Sequence, residues 1–137
     1  MLQFFKLFLL SAAIFLVFDL FWLLVVSKKI YQHYIGHLMG EVRLLPAIVF
    51  YLLYTAGLVF FVLLVAIDKN SLIYAILAGA LFGLICYATY DLTNLSTLKG
   101  WPLQMTIIDL MWGSFVSCAT SALGFLINLH FLGGGGK

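Results

Sequence analysis

The chain has 137 residues, of which 65% are hydrophobic and 9% are charged, and its formal net charge is +2 at pH 7. Soluble domains carry about 25% charged residues, so this composition excludes an ordinary soluble domain and predicts an integral membrane protein in a lipid bilayer. The small net charge, spread over scattered lysines, also argues against a nucleic-acid partner.

Apolar runs of transmembrane length recur along the chain. A helix of about 20 residues crosses a hydrocarbon core of about 30 Å. The runs predict an all-α polytopic membrane protein with four transmembrane helices in one domain over residues 1–132. We expect the first run to be a retained helix and not a cleaved leader, and residues 133–137 to be an added glycine-rich linker. The runs cover Leu7–Val26, Pro46–Ile67, Ser71–Tyr90 and a segment from Leu103 towards Leu132.

The connections between these runs differ in length. Residues 68–70 predict a tight turn, and residues 95–102 predict a short loop containing a glycine and a proline. Residues 28–45 are longer, and their apolar positions recur at helical spacing, which predicts an amphipathic helix in the membrane interface. These positions are Ile30, Tyr31, Tyr34, Ile35, Leu38, Met39 and Val42.

Loop charges predict the orientation. We call side A the face with the N-terminus and the 68–70 turn, and side B the face with the connections at 28–45 and 95–102. Side A carries Lys6 and Lys69, whereas side B carries Lys28, Lys29, Arg43 and Lys99. The positive-inside rule then predicts that the side B loops are cytoplasmic.

Aspartates interrupt the apolar pattern near side B. Asp19 lies towards the end of the first run, Asp91 ends the third, and Asp109 lies near the start of the fourth. All three are expected at a similar depth, about 10–14 Å below the first loop residues. Because a carboxylate in hydrocarbon is costly, we expect them to face a shared polar pocket that opens to side B.

Two of these aspartates belong to a weak internal repeat. Residues 19–27, DLFWLLVVS, and residues 109–117, DLMWGSFVS, share the pattern D-L-x-W-x-x-x-V-S. Trp22 and Trp112 each follow an aspartate by three residues and share its helix face. Since the two helices run in opposite directions, an inverted repeat or convergence accounts for the match. Trp101, beside a loop proline, is instead expected to anchor the chain at the interface.

The third run adds a phenol, a carboxylate and an amide on one helix face. Tyr87, Asp91 and Asn94 are spaced i, i+4 and i+7. With the two tryptophans and the other aspartates they form the predicted substrate-binding or proton-titrating site. Negative charge beside aromatic faces suits an organic cation or a quaternary headgroup, and clustered carboxyl groups suit proton uptake and release.

The remaining motifs have structural interpretations. His33, His37 and Glu41 recur along one stripe, which we interpret as the polar face of the interfacial helix; no metal site and no cofactor is predicted. Gly79 and Gly83 form a G-x-x-x-G spacing, typical of close helix packing.

Three functions remain open from these residues. The first is proton-linked binding or transport of a small substrate, with a cation as one candidate; four helices cannot enclose a wide path, so a transporter is expected to be a homo-oligomer. The second is a membrane-embedded enzyme acting on a lipid headgroup, with one aspartate as general base. The third is a structural or accessory subunit, in which the aspartates only hold helices together.

The segment 87–113, YATYDLTNLSTLKGWPLQMTIIDLMWG, resembles the DUF2177 family of predicted bacterial membrane proteins. The resemblance extends through residues 19–22, 35–40 and 50–61. It implies the four-span architecture and a location in the bacterial inner membrane, and it implies no activity. The family pattern corresponds here to Tyr90, Asp91, Leu92, Thr93, Asn94, Gly100, Trp101, Pro102, Asp109, Trp112 and Gly113.

Overall fold

The computed structural model describes residues 2–38 and 43–131, and in these ranges every regular element is helical. Four helices are long and apolar enough to cross a membrane, which confirms the predicted fold class. Residues 133–137, predicted to be an added linker, lie outside the described residues, and a single domain over residues 1–132 stays a prediction. We call the helices spans 1 to 4: Leu2–Val26, Leu44–Lys69, Leu72–Thr97 and Leu103–Phe131.

Local chemistry explains the turn between spans 2 and 3. Asn70 follows the last helical residue in the left-handed region, with a φ of 51°. Asparagine adopts this conformation more readily than most residues, so span 2 ends there. Ser71 then accepts a 3.0 Å hydrogen bond from the backbone N–H of Tyr74 and caps span 3. Asp68 and Lys69 are still helical, so the turn is tighter than predicted.

Span 3 extends further towards side B than predicted. Its helix continues to Thr97, so the prediction of a loop over residues 95–102 is wrong for the first three of them. Between Asp91 and Gly100 the sequence contains no glycine or proline, and the chain turns at Gly100, which has a φ of 77°, and Pro102. Asp91 therefore lies six residues inside the span and not at its end.

Spans 1 and 2 each contain a π-helical segment, at Trp22–Val26 and Val59–Leu63. A π-helical turn shifts the helical register of the side chains that follow, and such turns are frequent at functional sites. The first segment leads directly into a short helix, Ser27–Ile35, which we call the connecting helix.

The connecting helix packs against the start of span 4. Ile35 is 9% exposed and clusters with Trp101 and Met105, and Tyr31 packs against the same cluster. A helix thus lies where an amphipathic one is predicted, while its orientation in the membrane interface stays a prediction. Residues 39–42 of the predicted helix lie outside the described residues.

Spans 3 and 4 cross closely at glycines. A Cβ on Gly83 would overlap the carbonyl oxygen of Gly113, and a Cβ on Gly79 would lie 2.6 Å from Ser121 Oγ. Only a hydrogen atom fits at either position, so the two backbones approach each other. The G-x-x-x-G spacing therefore serves packing within one chain.

Apolar side chains cover the outward faces of the spans, and the interior contains both apolar and polar side chains. Leu24, Leu53, Leu77 and Met111, one from each span, have exposed fractions of 64 to 71%. The buried residues include the three intramembrane aspartates. This distribution suits a bundle surrounded by lipid, with its polar groups satisfied or enclosed inside.

Candidate functional site

The three intramembrane aspartates lie at one depth in the side B half of the bundle. Asp19, Asp91 and Asp109 are 7%, 0% and 3% exposed. Each lies six or seven residues from the side B end of its span. That spacing corresponds to about 10 Å along the helix axis. Packing then separates them into two distinct environments.

Asp19 faces an open cleft of about 640 Å³ between the side B halves of spans 2 and 3. The hydroxyl group of Tyr51 donates a hydrogen bond to Asp19 Oδ2. Because a phenol donor compensates part of the cost of burying a carboxylate, Tyr51 helps to hold Asp19 at the inner end of the cleft. The lining residues are Asp19, Pro46, Ala47, Phe50, Tyr51, Cys86, Tyr87 and Tyr90.

Aromatic rings make up much of the cleft wall. Phe50 and Tyr51 come from span 2, and Tyr87 and Tyr90 come from span 3. Aromatic faces attract cations, and this attraction strengthens where water is excluded. A carboxylate at the inner end and aromatic walls together suit a positively charged organic group.

Asp91 and Asp109 form a covered pair between spans 3 and 4. Their carboxyl groups are direct neighbours. Tyr31 of the connecting helix donates a 2.8 Å hydrogen bond to Asp109 Oδ1. Neither oxygen of Asp91 has a hydrogen-bond partner among the described residues. Two adjacent carboxylates repel each other strongly in a low dielectric, so the pair is suited to holding a proton.

Tyr31 closes this pair from side B. Its hydroxyl oxygen accepts a 3.4 Å hydrogen bond from Trp22 Nε1 while donating to Asp109. Burial and the charge of Asp109 raise the pKa of the Tyr31 phenol, so it remains a donor at neutral pH. The connecting helix thus supplies a lid residue with a defined bonding role.

The two tryptophans of the internal repeat stack on each other. Trp22 and Trp112 have ring centroids 4.4 Å apart and planes inclined by 9°. Trp22 bonds to Tyr31 on the side of the covered pair, whereas Trp112 lies beside Asp19. The indole N–H of Trp112 has no hydrogen-bond partner within the described ranges. The stack therefore connects the cleft and the covered pair.

The predicted polar face of span 3 contributes residues to both the cleft and the covered pair. Tyr87 lines the cleft, and its ring lies so close to Gly113 that a Cβ there would overlap it. Asp91 faces Asp109, and the half-buried Asn94 lies beside the Tyr90 hydroxyl group. Asp19 and Tyr87 are the predicted site residues that line the cleft, and Asp91 and Asp109 form the pair.

Tyr31 and Tyr51 are hydrogen-bond partners of the aspartates that sequence reasoning missed. Tyr31 was counted among the apolar positions of the interfacial helix. Tyr51 lies three residues before Tyr54 in a span with few polar groups, and Tyr54 hydrogen-bonds to Ser117. Two hydroxyl groups on one face of an apolar span were the signal that could have identified Tyr51.

Trp101 and the histidines have structural surroundings. Trp101 is 7% exposed and donates a 3.0 Å hydrogen bond to Thr106 Oγ1, so it is buried beneath the connecting helix and is not the interface anchor expected. Residues 2–38 and 43–131 contain no group of three or more metal-ligating side chains. His33 and His37 are exposed, and Glu41 lies outside these ranges.

The family model of the predicted membrane proteins DUF2177 matches residues 4–126. The chain belongs to this family. It is a membrane protein with four apolar helices, and the match includes every residue of the cleft, the covered pair and the tryptophan stack. No curated protein and no solved structure matches the chain.

Proposed function

We propose that this protein binds a small organic cation at Asp19 and couples binding to the release of a proton held by Asp91 and Asp109. The observation that carries the proposal is the cleft of about 640 Å³, which combines a buried carboxyl group with aromatic walls. Ligand sites of about 300–1,000 Å³ with few, well-placed polar groups are typical of small-molecule binding.

Coupling follows from charge in a low-dielectric interior. A cation at Asp19 favours the loss of positive charge nearby, and the covered pair is the neighbouring group that can give up a proton. The tryptophan stack and Tyr31 connect the two places. Binding would therefore exchange a cation for a proton.

Transport of the bound cation across the membrane is a more specific version of the same proposal. A transported cation needs a route to side A, and four spans are too few to surround a wide one. A transporting form would therefore be a homo-oligomer. We also propose the cytoplasmic placement of side B and the bacterial inner membrane as its location, from the loop charges and the family resemblance.

Two alternatives have weaker support. An enzyme acting on a lipid headgroup would use an acid and a base that both reach the substrate, yet Asp19 is the one of these three described aspartates that lines the cleft. An accessory subunit would need the aspartates only for helix pairing, and that does not account for a carboxyl group facing a cleft.

Proton release is the direct test. Purified protein in weakly buffered detergent solution is mixed with tetramethylammonium chloride, and both the pH change and cation binding by calorimetry are measured. Wild type is expected to bind the cation and release up to one proton per chain. Binding without any proton release would contradict the coupling, and no binding would contradict the proposal altogether.

Two matched variants separate the roles. Asp19→Asn should weaken cation binding at least about tenfold, since the attraction between two opposite charges about 4 Å apart is about 4 kcal/mol at an effective dielectric constant of about 20. Asp91→Asn should leave binding within about twofold and abolish proton release, because a single carboxyl group remains in the pair. If both variants lose binding equally and unfold at a lower temperature, the structural interpretation replaces this one.

A further inference from the structure

The cleft opens sideways, between spans 2 and 3. Towards side A the two spans touch, where a Cβ on Gly57 would lie 3.0 Å from the Phe82 ring. Tyr54 and Phe82 also pack there, with ring centroids 5.6 Å apart. Towards side B the spans separate and enclose the cleft. These contacts form its floor and leave a lateral opening above it.

The rim of this opening lies at two membrane depths. Pro46 and Ala47 are two and three residues from the start of span 2, close to the headgroup level. Phe50 and Tyr90 are 41% and 55% exposed, and they lie six and seven residues, or about 10 Å, inside the side B ends of their spans. The opening therefore runs from the headgroups into the hydrocarbon.

Charge and polarity change from the inner end to the rim. Asp19 is the acidic residue of the lining, at the inner end. The exposed faces of the two spans between the floor and the rim are apolar, with Leu53 69% and Ile85 56% exposed. A ligand that matches both ends has a cationic headgroup and a hydrocarbon chain. The cleft volume of about 640 Å³ also exceeds what a small ammonium ion alone would fill.

We infer that the ligand reaches Asp19 from the lipid and is a single-chain cationic amphiphile. Its headgroup lies against Asp19 and the aromatic walls, and its chain leaves through the gap between spans 2 and 3 into the surrounding lipid. This inference rests on the proposed function, and it adds the substrate class and the route of access.

Narrowing the rim distinguishes an amphiphile from a water-soluble cation. Ala47→Phe places a ring in the gap through which the chain would pass, whereas Ala13→Phe adds the same ring to a lipid-exposed position on span 1 outside the cleft. The protein is reconstituted in lipid nanodiscs. The dissociation constant of dodecyltrimethylammonium is expressed as its mole fraction in the lipid, so that its partitioning into the nanodisc is not mistaken for binding to the protein. The dissociation constant of tetramethylammonium is measured in the same samples.

The expected result is selective. Ala47→Phe weakens dodecyltrimethylammonium binding about tenfold more than it weakens tetramethylammonium binding, because only the longer ion has a chain that passes through the rim. Ala13→Phe changes neither affinity. If Ala47→Phe leaves dodecyltrimethylammonium binding unchanged, or weakens both ions equally, the lipid route is wrong. The proposed function then survives as long as tetramethylammonium binding still depends on Asp19.

Photo-crosslinking is a second measurement, and it does not depend on whether Ala47→Phe folds. An alkylammonium ion with a diazirine in its chain is bound to wild-type protein in nanodiscs, irradiated and mapped by mass spectrometry. Labels on the outward faces around Phe50 and Tyr90, lost in Asp19→Asn, support the inference. Labels elsewhere on the protein overturn the inference. Labels at a contact between two protein molecules that covers the gap overturn it as well. Loss of Asp19 dependence for both ions overturns the proposed function as well.

Discussion

The two D-L-x-W copies place their aspartates in contrasting surroundings. Asp19 lies beside an open cleft, and Asp109 lies under the connecting helix, although both are about 10 Å from the side B ends of their spans. Each accepts a hydrogen bond from a tyrosine, Tyr51 for Asp19 and Tyr31 for Asp109. Similar sequence thus acquires two environments because different elements pack over each copy.

The difference in packing also determines which of the three aspartates borders an open cleft. Asp19 borders the cleft, whereas Asp91 and Asp109 are enclosed beneath the connecting helix. A single shared pocket would have left both groups exposed to the same ligand. The stacked Trp22 and Trp112 keep the two places adjacent without merging them. If the two environments are independent, a substitution in one of them should leave the other unchanged.

Disrupting the crossing of spans 3 and 4 should remove both environments together. In Gly83→Val the new side chain overlaps the carbonyl group of Gly113, and the overpacking is expected to cost about 3 kcal/mol of unfolding free energy. Thermal unfolding in detergent, followed by circular dichroism, measures the loss. Gly36→Val is the control, since a Cβ on Gly36 meets no atom within 4 Å. Equal melting temperatures for the two variants would show that the crossing is not tightly packed.

Tyr31→Phe should affect the covered pair selectively. It leaves the Trp22 N–H without an acceptor and Asp109 without its donor, and is expected to cost about 1–2 kcal/mol of stability. The reactivity of Asp109 towards dicyclohexylcarbodiimide, mapped by mass spectrometry, should rise while that of Asp19 stays constant. Tyr34→Phe, on the same helix, should change neither. A parallel rise at Asp19 would mean that the two environments are not separate.

Trp112→Phe should weaken the connection between the environments. The substitution shortens the stack on Trp22 and removes no hydrogen bond, so the expected cost is about 1 kcal/mol. Trp22→Phe loses in addition the hydrogen bond to Tyr31 and should be the more destabilising of the two. Calorimetric unfolding of both variants checks the order, and the reverse order would contradict the bonding of Trp22.

Tyr51→Phe should have the smallest effect on stability, about 0.5 kcal/mol. Water or a ligand in the open cleft can replace the lost donor to Asp19, whereas nothing replaces Tyr31 in the covered pair. Chemical unfolding of Tyr51→Phe and Tyr31→Phe in the same detergent compares one chemical change in two environments. A larger loss for Tyr51→Phe would indicate that the cleft is closed.

Much of the fold was predictable from local patterns. Apolar runs located the four spans, and Gly100 and Pro102 marked the loop that follows span 3. The boundary error after Asp91 comes from Ser96 and Thr97, whose moderate helix propensity is compatible with either a helix or a loop. The depth of the aspartates followed from counting residues, since helical rise is nearly constant.

The tyrosine partners could not be predicted in the same way. Tyr31 and Asp109 are 78 residues apart in the chain, and Tyr51 and Asp19 are 32 apart. Helical periodicity relates neighbours three or four residues apart, and it carries no information on which face of a distant helix will arrive opposite. The stacking of Trp22 on Trp112 could not be predicted for the same reason, because the two residues lie on different spans.

The sequence by itself determined a four-span membrane protein with three aspartates at one depth near side B, because transmembrane length, hydropathy and helical rise are local properties. Only the tertiary structure decided that Asp19 faces an open cleft while Asp91 and Asp109 are enclosed. The physical reason is that burial depends on which helix packs where. Here the close crossing of spans 3 and 4, the divergence of spans 2 and 3 and the placement of Tyr31 distribute three similar residues between two environments.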